Sequence, residues 1–166
     1  MTENGLLRPS AERDIDCLMR WFGDARAVRV WGGPHFRFPY TRHSFAEDMH
    51  WGRMAAFSLA LADEDLVGFG QVYERFGRIN LARLVVQPGR RGQGMGRQLV
   101  SALMRESRKL FSLGEYALFV YRDNQPALRC YQSLGFEFSD YPDGMPLADD
   151  CYYLVRSVAA PATGTA

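Results

Sequence analysis

The chain of 166 residues predicts an α/β (α+β) fold in which one mixed sheet carries helices packed on it. Three observations carry that expectation. Strand-like and helix-like patterns follow one another in the order β-α-α-β-β-β-α-β-α-β-β. One long amphipathic run places Leu99, Val100, Leu103, Met104, Leu110 and Phe111 on a single helical face. It is joined to the apolar run before it by a Pro-Gly break, two arginines and glycine at alternate positions, Pro88-Gly89-Arg90-Arg91-Gly92-Gln93-Gly94-Met95-Gly96-Arg97.

The elements follow from local chemistry. Leu6–Arg8 reads as a short edge strand closed by Pro9, and Ser10 is the expected N-cap of a helix over 11–23 built on Ile15, Leu18, Met19 and Phe22. Residues 24–42 are dense in turn formers and aromatics and read as a loop. A second helix starts at Thr41 or Ser44 and ends near Met54. Three strands follow, Ala56–Ala62, Leu66–Glu74 and Ile79–Val86, separated by Asp63-Glu64-Asp65 and Phe76-Gly77-Arg78 turns. The long helix covers 94–112, Tyr116–Tyr121 is a buried-looking strand, and Gln125–Leu134 is a short helix with Pro126 in its first turn. Phe136–Tyr141 and Cys151–Ser157 are the last two strands.

Composition excludes several classes. A net charge of +1 argues against a nucleic-acid or acidic-membrane partner. Cys17, Cys130 and Cys151 are odd in number and show no C-x-x-C spacing, so neither a disulfide framework nor a zinc site is expected, and a cytoplasmic setting is the default. The first residues lack the basic-then-apolar plan of a signal peptide, and no apolar run approaches the ~18 residues of a membrane span. His35, His43 and His50 form no metal-ligand spacing with a carboxylate, so no metal is expected. The expected organisation is one domain over 1–158 and a disordered C-terminal tail over 159–166.

The glycine segment carries the chemistry. Glycines let a backbone approach a ligand closely, and the first turn of a helix offers unpaired N–H groups at the positive end of its dipole. With Arg90 and Arg91 beside them, these are the parts of a phosphate or diphosphate site. A Walker loop would need Gly-Lys-Ser/Thr, where this chain has Gly94-Met95-Gly96. A dinucleotide fingerprint would need glycine where Arg97 stands, and an acidic residue closing a strand about 20 residues on, which is absent.

What fits is Arg91-x-x-Gly94-x-Gly96 after a Val-x-Pro strand end. It resembles the acetyl-CoA-binding segment of the GNAT N-acetyltransferase superfamily. A second segment, Asn124, Ala127, Tyr131 and Leu134-Gly135-Phe136, is similar to the N-x-x-A-x-x-x-Y-x-x-x-G-F segment of the same superfamily. The resemblance covers about residues 57–157 well and the first 55 only in outline. It implies a single mixed, mostly antiparallel sheet of six to seven strands flanked by about four helices. It implies acetyl-CoA as co-substrate, with no metal, and transfer of the acetyl group to a primary amine by direct attack in a ternary complex. The acceptor it implies is a small-molecule amine or a protein or peptide amine, and the protein would be a monomer or homodimer.

The site residues implied by the resemblance are as follows. Backbone groups of Arg90, Arg91, Gly92, Gln93, Gly94, Met95, Gly96 and Arg97 hold the diphosphate. A bulge turns the strand end at Leu84, Val85 and Val86 away from Tyr116–Tyr121, so that this backbone pairs with the pantetheine arm and one N–H polarises the thioester carbonyl. Asn124 and Ala127 contact the arm, and Tyr131 is the general acid for the departing thiolate. Taken alone, Asn124 reads equally as a helix N-cap and Tyr131 as packing. Trp31, His35, Phe36 and Tyr40 read either as one wall of the acceptor site or as core and loop residues. The general base is open. Where many members carry an acid near the start of the strand before the glycine loop, this chain has Arg78, Asn80 and Arg83. Glu74, Asp143, Asp149 and Asp150 are the alternatives, each read first as a solvated surface charge. That missing acid motivates a rival expectation, a catalytically silent domain that binds acyl-CoA as a sensor or partner.

Overall fold

The structure, a computed structural model, describes residues 3–159. Among these, the strand-like runs become β1 (Leu6–Pro9), β2 (Ala55–Ala60), β3 (Leu66–Arg75), β4 (Arg78–Val86), β5 (Glu115–Tyr121), β6 (Glu137–Ser139) and β7 (Cys151–Ser157). The helices are α1 (Glu12–Met19), α2 (Ala25–Gly32), α3 (Arg42–Asp48), α4 (Met95–Leu110) and α5 (Gln125–Ser133), and Pro88–Arg90 form a 3-10 turn. The seven strands make one sheet in the order β1-β2-β3-β4-β5-β7-β6. Its β1–β2, β5–β7 and β6–β7 pairs are antiparallel and its β4–β5 pair is parallel. A parallel pair needs a long crossover, which the glycine segment and α4 supply. The mixed sheet expected from the pattern is therefore present, with five α-helices where about four were expected. No helix among the described residues is long and apolar enough to cross a membrane. The expected disordered tail over 159–166 lies outside the described residues, apart from Ala159.

Local expectations need three corrections. The segment 24–42 is not all loop: Asp24 accepts a hydrogen bond from the Ala27 N–H at 2.8 Å and so caps α2, which buries Val28 and Trp31. The helix was hidden because its eight residues end in Gly32-Gly33-Pro34, whose turn chemistry dominates the window. The cap of α1 is Ala11 rather than Ser10, and the Asp14 carboxylate closes the helix end by accepting the Ala11 N–H at 2.8 Å. Ser10 instead turns its hydroxyl to Ser58 on β2, at 2.7 Å. Finally, α1 and α3 are shorter than their periodicity suggested, ending at Met19 and Asp48.

The chain folds as two compact units. One takes the residues up to Gln71 together with Arg83–Leu99; the other takes Val72–Ala82 and the residues from Val100 on. In the first unit α1, α2 and α3 build a core from Ile15, Leu18, Phe22, Val28, Trp31, Phe36, Phe45 and Met49, closed by Phe69 of β3 and Val85 of β4. On the other face of β3, Gly68 lies against Leu59 and Leu99. Cover on both faces explains why β3 is buried from Leu66 through Val72 instead of alternating. In the second unit β5 pairs with β7 over seven residues, from Glu115↔Ser157 to Tyr121↔Cys151. Tyr116, Leu118, Leu103, Phe136, Tyr153 and Leu154 are buried there, and the Tyr116 hydroxyl donates to the Met104 carbonyl at 2.9 Å.

Candidate functional site

The strand that leads into the glycine segment carries one residue in left-handed backbone, the conformation of a bulge. The β4–β5 ladder comprises only Ile79↔Tyr116 and Asn80↔Ala117, so β4 from Leu81 to Val86 lies beyond it. Three residues past Asn80, Arg83 has φ of 48°, a left-handed conformation that costs an L-residue about 1 kcal/mol or more. Its carbonyl accepts the indole N–H of Trp31 at 2.7 Å. Its guanidinium donates to Gln71 Oε1 at 3.0 Å and to the Asp48 carbonyl at 3.4 Å, with Met54 Sδ at 3.6 Å. Gln71 is itself buried and held, its Nε2 donating to the Met49 carbonyl at 2.8 Å.

Past Val86 the chain turns through Pro88–Arg90, then passes Gly92 and Gly94 at φ of 75° and 82°. The Gln98 N–H bonds the Gly94 carbonyl at 3.2 Å and closes the first turn of α4. Met95, Gly96 and Arg97 thus form the first turn of a 16-residue helix, at the positive end of its dipole. A side chain at Gly89 or Gly92 would meet nothing within 4 Å, so the backbone there is open to approach. Gln93 and Arg97 are exposed, whereas Met95 is buried and anchors the helix start. The two loop arginines differ. Arg91 is exposed and reaches back to the Val86 carbonyl, at 3.4 Å. Arg90 is ion-paired with Asp65 at 3.4 Å and Glu3 at 3.6 Å, which turn its guanidinium toward the protein's own carboxylates.

In the second unit, Asn124 caps α5: its Oδ1 accepts the Ala127 N–H at 3.4 Å. The cap reading of Asn124 is therefore realised, and its Nδ2 donors remain the chemically available end of the amide. Tyr131 follows Ala127 by four residues, on the same helical face, with its ring edge-on to Phe136 at 6.2 Å. Burial pushes the Tyr131 phenol well above the ordinary tyrosine value, with a smaller contribution from Cys130. It stays protonated at every working pH. The position expected to hold an acid is filled by an engaged cation, since Arg78 donates to Glu115 Oε1 at 3.0 Å and to the Tyr153 hydroxyl at 3.4 Å.

Trp31 and Phe36 are core residues, 9% and 2% exposed, and Trp31 stacks on Phe45 at 5.5 Å and 19°. Tyr40 packs edge-on to Phe45, and its hydroxyl donates to the Met19 carbonyl. Only His35 of this group is exposed, as are Glu74, Asp143, Asp149 and Asp150 elsewhere. The sequence marked Arg83 only as a cation where an acid was expected; its left-handed backbone was not legible because nothing in an arginine's identity announces a positive φ.

Residues 25–136 match the model of the acetyltransferase (GNAT) family. The chain belongs to that family. The spermine/spermidine N(1)-acetyltransferase of Bacillus subtilis (strain 168) is 31% identical over 84 residues, 45% of this chain and 55% of that protein. The GNAT chain described here thus spans about half the length of the curated relatives it matches. Among solved structures, a GNAT-family acetyltransferase from Bacillus anthracis has a TM-score of 0.74 at 17% identity, covering 96% of this chain and 98% of that one. The spermidine N-acetyltransferase of Vibrio cholerae, solved with CoA and spermine, has a TM-score of 0.72 at 17% identity, covering 94% and 96%. These two likenesses establish the GNAT fold.

Proposed function

We propose that this protein is an acetyl-CoA-dependent N-acetyltransferase that moves the acetyl group to a primary amine by direct attack in a ternary complex. The observation that carries the reading is the direct succession, within one unit, of a bulged strand end, a glycine loop and the amino end of α4. The residues fit a diphosphate: the loop backbone is open at Gly89 and Gly92, and Arg91 supplies an exposed cation. When bound, the coenzyme supplies an acetyl group already activated as a thioester.

The chain's own residues have four tasks. N–H groups from Arg91 to Arg97 hold the diphosphate. The Leu84–Val86 backbone aligns the pantetheine arm like an added strand and aims one N–H at the thioester carbonyl, where charge develops. By motif, the reading extends to Asn124 and Ala127 as contacts of the arm and to Tyr131 as proton donor to the departing thiolate. A thiol has an ordinary pKa of about 8.5, so that proton helps without being indispensable. No base is assigned; the amine gives its proton to water. In this reading residues 1–158 form one cytoplasmic catalytic domain, a monomer or homodimer.

Small polyamines are the first acceptors to try, given the name of the 31%-identical relative. The test is thermal stabilisation by acetyl-CoA and longer acyl-CoAs, then CoA release over a panel of spermine, spermidine, amino acids and peptides with free N-termini. Stabilisation by acetyl-CoA and thiol release with at least one amine are expected. Tight acetyl-CoA binding with no release from any amine would favour the silent acyl-CoA binder. Absence of binding would remove both readings.

A further inference from the structure

The bulge in β4 is held by residues to which the proposed reaction assigns no task. Non-glycine residues at positive φ persist only where the surroundings over-determine them. At Arg83 the hold comes from two sides. The guanidinium is tied to Gln71 and to the Asp48 carbonyl at the end of α3. The carbonyl is tied to Trp31 on α2 by a hydrogen bond of 2.7 Å. The indole cannot swing to follow a moving acceptor, because it lies stacked on Phe45 and within 4.7 Å of the Phe22 ring centre.

One covalent fact makes this contact more than packing. The Arg83 carbonyl and the Leu84 N–H belong to the same peptide plane, with the bonds pointing in opposite directions. Pinning the oxygen therefore fixes the direction of the Leu84 N–H and of the backbone that continues through Val85 and Val86. A hydrogen bond to that oxygen also polarises the peptide and strengthens its N–H as a donor.

We propose that Trp31 and Arg83 are positioning residues for acetyl transfer: the indole N–H and the guanidinium lock the β4 bulge so that the Leu84–Val86 backbone is aimed before the thioester arrives. The inference rests on the acetyltransferase reading, and it gives Trp31 a task inside the scaffold instead of at an acceptor wall. The diphosphate grip lies downstream, at Arg91–Arg97, so the two parts separate experimentally. Trp31→Phe removes the donor and keeps an aromatic ring in the core. With spermine, or whichever amine the panel yields, its kcat falls about tenfold or more while the Kd for acetyl-CoA stays within about twofold.

A second pair of variants covers the case in which Trp31→Phe does not fold. Arg83→Gly loses the guanidinium but accepts the positive φ, whereas Arg83→Val loses the guanidinium and resists it, so kcat falls below wild type in both and further in Arg83→Val, at equal acetyl-CoA affinity. A folded Trp31→Phe at full kcat, one whose loss lies wholly in acetyl-CoA affinity, or wild-type kcat in both Arg83 variants would overturn the inference. A wild-type protein that fails to bind acetyl-CoA or to release thiol overturns the acetyltransferase reading and this inference with it. That failure is distinguishable because it appears without any substitution.

Discussion

The bulge at Arg83 and the loop at Gly92 and Gly94 lie within a dozen residues of each other, and both run through left-handed backbone, yet they reach it by opposite means. At Arg83, φ of 48° is imposed on a residue that disfavours it, by an indole, a buried amide and a main-chain carbonyl. At Gly92, φ of 75° is adopted by a residue that tolerates it, with nothing within 4 Å of where a side chain would stand. The first arrangement gives fixed direction, as the proposed donor to the thioester carbonyl requires. The second gives close approach, as the proposed grip of main-chain N–H groups on a diphosphate requires. Tertiary contacts hold the part that must be accurate, and residue chemistry shapes the part that must be accessible.

The contrast can be broken at several points. Reversing the charge at the open loop has the largest expected effect: Arg91→Glu weakens acetyl-CoA binding about a hundredfold and abolishes its thermal shift, since a charge-assisted bond is replaced by repulsion. Unchanged calorimetric affinity would remove Arg91 from the diphosphate site. Next in size is the proposed acid. Tyr131→Phe keeps the acetyl-CoA shift and lowers kcat about tenfold, because a thiolate leaves tolerably well unaided. The wild-type pH profile sharpens this point. With the phenol pushed up by burial, its loss of a proton leaves no mark on kcat below about pH 10, the ordinary tyrosine value, and activity rises as the amine acceptor deprotonates. A falling alkaline limb that vanishes in Tyr131→Phe would contradict the protonated assignment.

Smaller effects test the backbone argument itself. Gly92→Ala meets no steric contact, so its cost is conformational alone, about 1 kcal/mol of stability in denaturant titration. A loss several times larger would mean that the site is not open. Smallest is Arg90→Gln. Its partners Asp65 and Glu3 lie near the surface, so stability falls by less than about 1 kcal/mol. Acetyl-CoA affinity changes by under about threefold, because a charge already paired adds little to a ligand's grip. A Kd that moves as much for Arg90 as for Arg91 would erase the distinction between them.

The strands and helices α4 and α5 were legible because their signals are local. Period-two or continuous apolar runs bounded by Pro, Gly and Asp place β2 to β5, and sustained helical spacing places α4. Helix α2 was not legible, since eight residues between turn formers carry too short a pattern to stand against Gly32-Gly33-Pro34. The aromatics of 31–40 stayed ambiguous for a related reason. Exposure depends on what packs over a ring, and Phe22, Phe45 and Phe69, far apart in the chain, decide it for Trp31.

The proposed anion cradle belongs to the amino-acid order alone. Glycine's freedom, proline's break and an arginine beside a helix start are properties of those residues and their neighbours, and they need no distant partner. The bent strand end belongs to the folded molecule. Arg83 takes a positive φ only because Gln71, Asp48 and Trp31, brought up from 12, 35 and 52 residues away, hold both ends of it. Such strain exists only where the surrounding fold over-determines the conformation, and no stretch of sequence read by itself contains that information.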